Sequence, residues 1–427
     1  MTLALRLYRR LMGGFHDFVP GILKGRVARG KEDAARWRER LGETALPRPD
    51  GGLVWLHGVS IGESVSALPV IERLRKERPD LAVLVTTATT TSAEILAKRL
   101  PAGAFHQFAP VDTPQAVTAF LDHWRPDAAI FIESDIWPTI LTELAARQIP
   151  RALLSARITD RTYRGWQRFR VAMRGLLGGY ALVMAQDKAS DDRLRAMGVD
   201  TAAMANLKTL GEPLACDPEA LTALKALTGG RRVIVAASTH YGEDSLIVKS
   251  LEACIRDGDL LVLAPRHPVK AADIRLDIEA IGLHVAQRSL KEPVTYATQV
   301  YLADTLGELG LFFSLGDITI IGGSFLTRIG GHNPLEAARL GRSVITGGDT
   351  ANWEGVFGDL IAAGAAWQVF GPQELRFLVE QLRDNPDAVK AADRAALEAS
   401  HSQADTLDRV WQALRPLLPE PEAANDR

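Results

Sequence analysis

The chain has 427 residues with 50 lysines and arginines against 52 aspartates and glutamates, so its formal charge of -2 gives no whole-molecule reason to expect a nucleic acid partner. Hydrophobic residues make up 47% and charged residues 24%, the mix of a soluble globular protein, at a length beyond what one core covers, so two domains are expected. Only two cysteines, Cys216 and Cys254, are present, which excludes a disulfide framework and a four-thiolate zinc site and fits a reducing compartment, with the cytoplasm as the default.

The best N-terminal candidate for a bilayer-spanning helix, which needs ~20 apolar residues, is interrupted by Arg6, Arg9 and Arg10. Around those arginines lie Leu3, Leu5, Leu7, Tyr8, Leu11, Met12, Phe15 and Phe18, and Lys24, Arg26, Arg29 and Lys31 follow, with Asp17 as the acid among them. Residues 1–30 therefore have the composition of an interfacial helix and basic stretch suited to anionic lipid headgroups. The same pattern also suits a helix docked on the protein's own body. It lacks the small-residue cleavage site of a signal peptide.

From about residue 50, short apolar runs alternate with longer amphipathic ones, the pattern of β-α units around a parallel sheet. Strands are predicted over Leu53–His57, Leu81–Thr86, Ala128–Glu133, Ala152–Ser155 and Ala181–Ala185. Asn206 to Pro218, with Gly211 and Pro213, breaks the alternation and reads as a linker. A second series follows over Val233–Ala237, Leu260–Ala264, Gln299–Ala303, Ile318–Gly322 and Ser343–Thr346, and Gln373–Leu418 reads as helical before an acidic tail. The expected fold class is α/β, with two doubly wound Rossmann-like domains, 31–212 and 213–418, presenting the carboxyl ends of both sheets to a shared cleft, and a tail over 419–427.

Chemistry gathers at the turns after these strands. The first turn carries His57, Gly58, Ser60, Gly62 and Glu63 into a helix beginning near Ser64, where a positive helix end would draw Glu63 in as a candidate general base. The plainer alternative is that Glu63 caps the helix. Gly58 to Gly62 also matches the G-x-S-x-G turn of serine hydrolases, for which His240, His267 or His332 could supply the base. Against that reading, the turn follows the first strand of its sheet rather than a later one. At the next candidate, Glu133-Ser134-Asp135-Ile136-Trp137-Pro138, two carboxylates and an aromatic follow a strand, with Pro138 a natural helix start and Asp135 a possible cap.

Lys208 near the linker, and Arg266 and His267 after Pro265, are cationic groups suited to a phosphate, although a solvated surface position is the ordinary alternative for Lys208. Asp304 to Glu308 forms another strand-end turn. Gly322-Gly323-Ser324 and Gly330-Gly331-His332-Asn333-Pro334-Leu335-Glu336 favour a nucleotide, with Glu336 placed for a ribose hydroxyl. No G-x-x-x-x-G-K-[ST] loop occurs, which argues against ATPase or GTPase chemistry of that type, and no metal-ligand spacing stands out.

Taken in order, His57 to Glu63, Glu133 to Pro138, Ser238 to Glu243, Pro265 to Pro268, Asp304 to Glu308 and Gly322 to Glu336, together with Ala35 to Gly42, closely resemble the 3-deoxy-D-manno-octulosonic acid (Kdo) transferases of Gram-negative bacteria. The resemblance implies an inverting glycosyltransferase of the GT-B type that needs no metal or cofactor and moves Kdo from CMP-Kdo to the lipid A precursor lipid IVA in lipopolysaccharide biosynthesis. It implies acceptor binding by the N-terminal domain and CMP-sugar binding by the C-terminal one, at the cytoplasmic face of the inner membrane, peripherally or through an N-terminal anchor. By position, Glu63 takes the proton-acceptor role, and Glu133 and Lys208 take transition-state stabilisation. Pro265 and Arg266, then Leu306, Gly307 and Glu308, then Asn333, Pro334, Leu335 and Glu336, match the CMP-binding segments. The chain departs from the family pattern at Asp135, Ile136, Ser155, Ala205 and Tyr241. A transferase using another nucleotide sugar and a hydrolase built on Ser60 are the competing readings.

Overall fold

The computed structural model describes residues 2–133, 136–401 and 405–421. The chain divides into two compact units, one running to Gly211 and taking in the chain again from Ala404, the other spanning Glu212–Gln403.

The first unit is built on a parallel seven-stranded sheet of β1 (Leu53–His57), β2 (Ala82–Thr87), β3 (Ala104–Phe108), β4 (Ala128–Ile132), β5 (Arg151–Ala156), β6 (Leu182–Ala185) and β7 (Ala203–Met204), in the order β3-β2-β1-β4-β5-β6-β7. The central strands β1 and β4 are buried along their whole length, which is why they read as unbroken apolar runs. One face packs Trp55, Phe120, Trp124 and Phe131 into a core; the other packs Leu56, Leu68, Ile71 and Val85. The strand order reverses between β1 and β4, whose neighbouring register pairs His57 with Phe131.

The Ala35 to Gly42 segment works as a clip on this sheet's edge. Arg40 is buried, donates through Nε to Glu32 at 2.7 Å and reaches the carbonyl of Ala109 at 3.2 Å. Glu39 accepts from the amide of Phe108 at 2.8 Å, and Arg36 donates to the carbonyl of His106 at 2.9 Å. These bonds occupy backbone groups of the edge strand β3 that would otherwise stay open to pairing.

The N-terminal segment forms α1 (Leu3–Phe15) and, after a short turn, α2 (Val19–Ala28). One side of α1 is fastened to the first unit: the Tyr8 hydroxyl donates to Asp112 at 2.9 Å, Arg9 pairs with Glu143 at 2.5 Å, and His16 meets Thr113 at 2.8 Å. The other side stays open, with Leu3 82%, Leu7 58% and Leu11 65% exposed, and Phe18 in the turn that follows is 67% exposed. The fastened side is the one expected of a helix docked on the protein's own body. No helix among the described residues is long and apolar enough to cross a membrane.

The second unit repeats the plan with β8 (Val233–Thr239), β9 (Leu260–Pro265), β10 (Val285–Gln287), β11 (Val300–Leu302), β12 (Ile318–Ile321), β13 (Val344–Thr346) and β14 (Ala366–Gln368), in the parallel order β10-β11-β9-β8-β12-β13-β14. Its order reverses between β8 and β12. The unit ends with the helices Pro372–Asp384 and Pro386–His401.

The last α-helix among the described residues, Asp405–Leu414, departs from the sequence boundary of 213–418. Val410, Trp411, Leu414 and Leu418 are buried in the first unit's core beside Leu56, Leu68 and Ile71. An amphipathic helix goes where an apolar face awaits it, and sequence position alone does not reveal which unit offers that face.

Candidate functional sites at the two switch points

In each unit, the functional candidates lie in turns after the carboxyl ends of strands, at the reversal of strand order and on strands beyond it; in doubly wound sheets ligands bind at that reversal. In the first unit this reversal lies between β1 and β4. After β1, α3 (Ile61–Glu77) starts three residues before the predicted Ser64, with Ser60 as its N-cap. Glu63 therefore occupies the third helical position and forms a variant of the capping box, in which its carboxylate takes the amide before the N-cap instead of the N-cap's own. Ser60 Oγ accepts from the Glu63 amide at 3.3 Å, and its hydroxyl donates to Glu63 Oε1 at 2.7 Å. The Val59 amide donates to Glu63 Oε2 at 2.6 Å. A Cβ on Gly58 would sit 3.2 Å from Glu63 Cβ, so the bare glycine lets the carboxylate side chain fold back against the turn.

The G-x-S-x-G geometry of a hydrolase is absent. Ser60 has ordinary extended dihedrals, φ -98° and ψ 168°, rather than a strained elbow, and its hydroxyl is committed to Glu63. His57 does not reach Ser60; its Nδ1 meets the Thr86 hydroxyl at 2.8 Å, and Thr86 also accepts from Trp55 Nε1 at 2.8 Å. His57 is buried, and burial, reinforced by the charge of Arg40, pushes its pKa down to about 4.

Across the reversal, Glu133 follows β4 with φ +63°, a left-handed conformation that costs a non-glycine residue on the order of 1 kcal/mol. Its carboxylate forms an ion pair with the Lys208 ammonium. Lys208 is thus not the solvated lysine of the ordinary alternative: its side chain is 19% exposed, and it sits on the short 3-10 turn Leu207–Thr209. That turn is fixed from below by the Leu207 amide donating to Ser155 Oγ at 3.3 Å, and by Asn206 Oδ1 accepting from the Lys208 amide at 3.1 Å. Ser155 also has positive φ, +55°. Ser134 and Asp135 lie outside the described residues.

Pro138 does open a helix, Pro138–Ala146, as expected. A cap that the sequence reading missed is Asp112, which accepts from the amides of Thr139 at 3.0 Å and Ile140 at 2.9 Å while holding Tyr8. No local signal marks it, because cap and helix are 27 residues apart. Burial raises the Asp112 pKa.

In the second unit the reversal lies between β8 and β12, and two turns meet there. The His240 and His332 rings face each other with Nε2 to Nε2 at 2.9 Å, and the His267 ring stands 5.4 Å from that of His240. Glu243 is fully buried and serves as a backbone knot, accepting from the amides of His240 at 2.8 Å, Gly323 at 2.7 Å and Phe325 at 2.8 Å. A Cβ on Gly323 would lie 2.6 Å from the His332 ring, so only a glycine lets that ring lie against the backbone.

The residues of the nucleotide segments divide by accessibility. Pro265 is buried at the end of β9, while Arg266 and His267 are exposed. Leu306 is 81% exposed beside Gly307, whose φ of +87° only glycine adopts cheaply. Glu308 is held by Arg288, with Nε to Oε2 at 3.1 Å, and by the Thr305 hydroxyl. Asn333 Oδ1 accepts from the Leu335 amide at 3.0 Å, and Asn333 Nδ2 lies 3.5 Å from Glu336 Oε1. Burial raises the Glu336 pKa. Pro334 caps the short helix Leu335–Ala338.

Comparison with known proteins adds an independent line. A family profile described as 3-Deoxy-D-manno-octulosonic-acid transferase (kdotransferase) matches residues 35–210. A probable mitochondrial 3-deoxy-D-manno-octulosonic acid transferase of Arabidopsis thaliana is 32% identical over 423 residues, 96% of this chain and 95% of that protein. The 3-deoxy-D-manno-octulosonic acid transferase of Rickettsia bellii is 32% identical over 400 residues, 92% of this chain and 95% of its own length. Among solved structures, a glycosyltransferase from Rickettsia africae shares the fold with a TM-score of 0.60 at 12% identity, over 87% of this chain and 100% of that one.

Proposed function

The chain belongs to the 3-deoxy-D-manno-octulosonic acid transferase family and is a glycosyltransferase of the GT-B fold, and from that premise we propose that it moves Kdo from CMP-Kdo to the lipid A precursor lipid IVA. In this reading the first unit binds the acceptor and the second binds the CMP-sugar. The observation that carries it is the arrangement after β1 and β4: Glu63 held by two hydrogen bonds, and Glu133 in a left-handed conformation paired with Lys208. Backbone strain retained beside an ion pair at a switch point is the mark of a preorganised site.

The chemistry assigns each group a task. A hydroxyl oxygen of the acceptor bonds to the anomeric carbon of Kdo as the bond from that carbon to the phosphate oxygen breaks. The electron pair leaves with CMP, and the hydroxyl proton passes to Glu63, a transfer typically worth about 10²- to 10⁴-fold. Val59 and Ser60 aim the Glu63 carboxylate without occupying every lone pair, since each oxygen accepts one of the two bonds. The Glu133–Lys208 pair supplies fixed charge for the transition state. Pro265 and Arg266, Leu306 to Glu308, and Asn333 to Glu336 take the nucleotide, with Arg266 as the forked donor toward its phosphate.

A lipid acceptor fits a protein that works at the cytoplasmic face of the inner membrane. The exposed stripe of Leu3, Leu7, Leu11 and Phe18, accompanied by Arg6 and Arg10, supports this location because it offers an apolar face and cationic flanks to anionic lipid.

The deciding experiment incubates the purified protein with lipid IVA and freshly generated CMP-Kdo and follows acceptor mass. The expected result is one or more Kdo increments, lost in Glu63→Ala. Nucleotide choice is tested by CMP and UDP binding: preference for UDP, with no Kdo transfer, would replace this reading with a transferase for another nucleotide sugar.

A further inference from the structure

The histidines at the second unit's switch point have a property that the transfer chemistry does not use. A 2.9 Å contact between His240 Nε2 and His332 Nε2 is a hydrogen bond only if one nitrogen carries a proton and the other a lone pair. No group of three or more His, Cys, Asp or Glu side chains able to hold a metal ion occurs among the described residues, so the contact is one between the rings themselves. With both rings neutral, the donor ring still has a free Nδ1 lone pair. A proton added there makes an imidazolium that keeps the N–H···N bond and strengthens it through charge. A second added proton would set two N–H groups against each other. The pair therefore has room for one proton.

Its surroundings keep that proton off in the free protein. Burial lowers both rings, taking His332 down to about 4, and the charges of Arg266 and His267 from the turn after β9 push the same way. Glu243, at the start of the helix Glu243–Arg256, opposes them at His240, although its oxygens are shared among three backbone amides. Glu336 faces Arg266 as well, and burial disfavours its charged form. Burial is the larger cause, and an anion arriving beside Arg266 would offset the repulsion that adds to it, favouring the charged pair.

We infer that the His240–His332 pair is the proton-accepting counter-group of the nucleotide site, taking up one proton when the phosphate of a cytidine nucleotide binds beside Arg266. The inference rests on the donor-site reading given above. The two histidines act as positioning residues: the charged pair adds positive charge behind Arg266, which holds the phosphate, and remains locked by its internal bond.

The test is calorimetric titration of CMP into the full chain, in buffers of different ionisation enthalpy, between about pH 5.5 and 8.5. Binding enthalpy is expected to vary with the buffer, with a slope approaching one proton taken up. CMP affinity should fall as pH rises, by up to about tenfold per pH unit. Because the CMP phosphate itself titrates near pH 6, the decisive comparison is with the double variant His240→Gln/His332→Gln, which keeps hydrogen-bonding groups at both positions but leaves no imidazole of the pair to titrate. It should still bind CMP and lose the protein's share of the proton uptake. Unchanged uptake in the double variant would overturn the inference and leave the donor site standing. A stoichiometric metal in the purified protein, lost in the double variant, would also overturn it. Absence of CMP binding by the unaltered chain at every pH would remove the donor-site reading and this inference together.

Discussion

The capping box at the head of α3 gives Ser60 and Glu63 separable tasks. Glu63→Gln keeps an amide able to fold back to the turn but removes the proton acceptor we propose, so kcat should fall about 10²- to 10⁴-fold with little change in the melting temperature. Ser60→Ala removes the N-cap and should cost about 1 kcal/mol of stability, with a smaller loss of kcat. Steady-state transfer assays and thermal melts on both variants check this pair, and full loss of activity with the serine alone would reverse the assignment. His57 adds a pH dependence. Its folded pKa of about 4 lies below that of a free histidine, so the unfolded chain binds the proton more readily. The stability it contributes is complete above about pH 6.5 and is lost toward pH 4, at up to about 1.4 kcal/mol per pH unit. Chemical denaturation across that window should show a steeper acid loss for the unaltered chain than for His57→Gln. Sequence reasoning found Glu63 and weighed its capping role, because both rest on neighbours within four residues. It could not find the Lys208 contact, since an ion pair between residues so far apart in sequence exists only once β4 and the turn after β7 have been brought together. Nor could it see that Glu133 is left-handed, as nothing but the surrounding fold imposes that conformation.

At the scale of elements, burial decides what is legible. The central strands β1, β4, β8 and β12 are buried throughout and were predicted to within a residue or two. The unpredicted strands β3, β7, β10 and β14 all stand at or beside a sheet edge and are short or only partly buried, so their apolar signal is weak. In α1 the two faces make opposite predictions. Leu7→Asp with Leu11→Asp alters exposed side chains, so the melting point should hold while flotation with vesicles of anionic lipid drops sharply. Tyr8→Phe removes the hydroxyl that Asp112 accepts, should cost about 1–2 kcal/mol, and should leave flotation unchanged. Equal flotation of the unaltered chain and the double aspartate variant would defeat the membrane assignment.

For the whole molecule, the alternation of strand and helix announced two doubly wound units, and both sheets have that form. What it did not announce was where the helix Asp405–Leu414 belongs. Trp411 is buried with Val410 and Leu414 among core residues of the first unit, so Trp411→Ala should cost about 3 kcal/mol or more. The loss should appear as a lowered transition for the first unit, followed by the fluorescence of Trp55 and Trp124 in its core, while the CMP binding proposed for the second unit persists. The return of that helix also has a meaning for synthesis. A ribosome completes the whole of Glu212–Gln403 before it makes the helix that finishes the first unit's core. Although domains emerging from the ribosome generally fold first at the N-terminus, here the earlier unit closes after the later one, and its open face must be shielded until Asp405–Leu414 emerges.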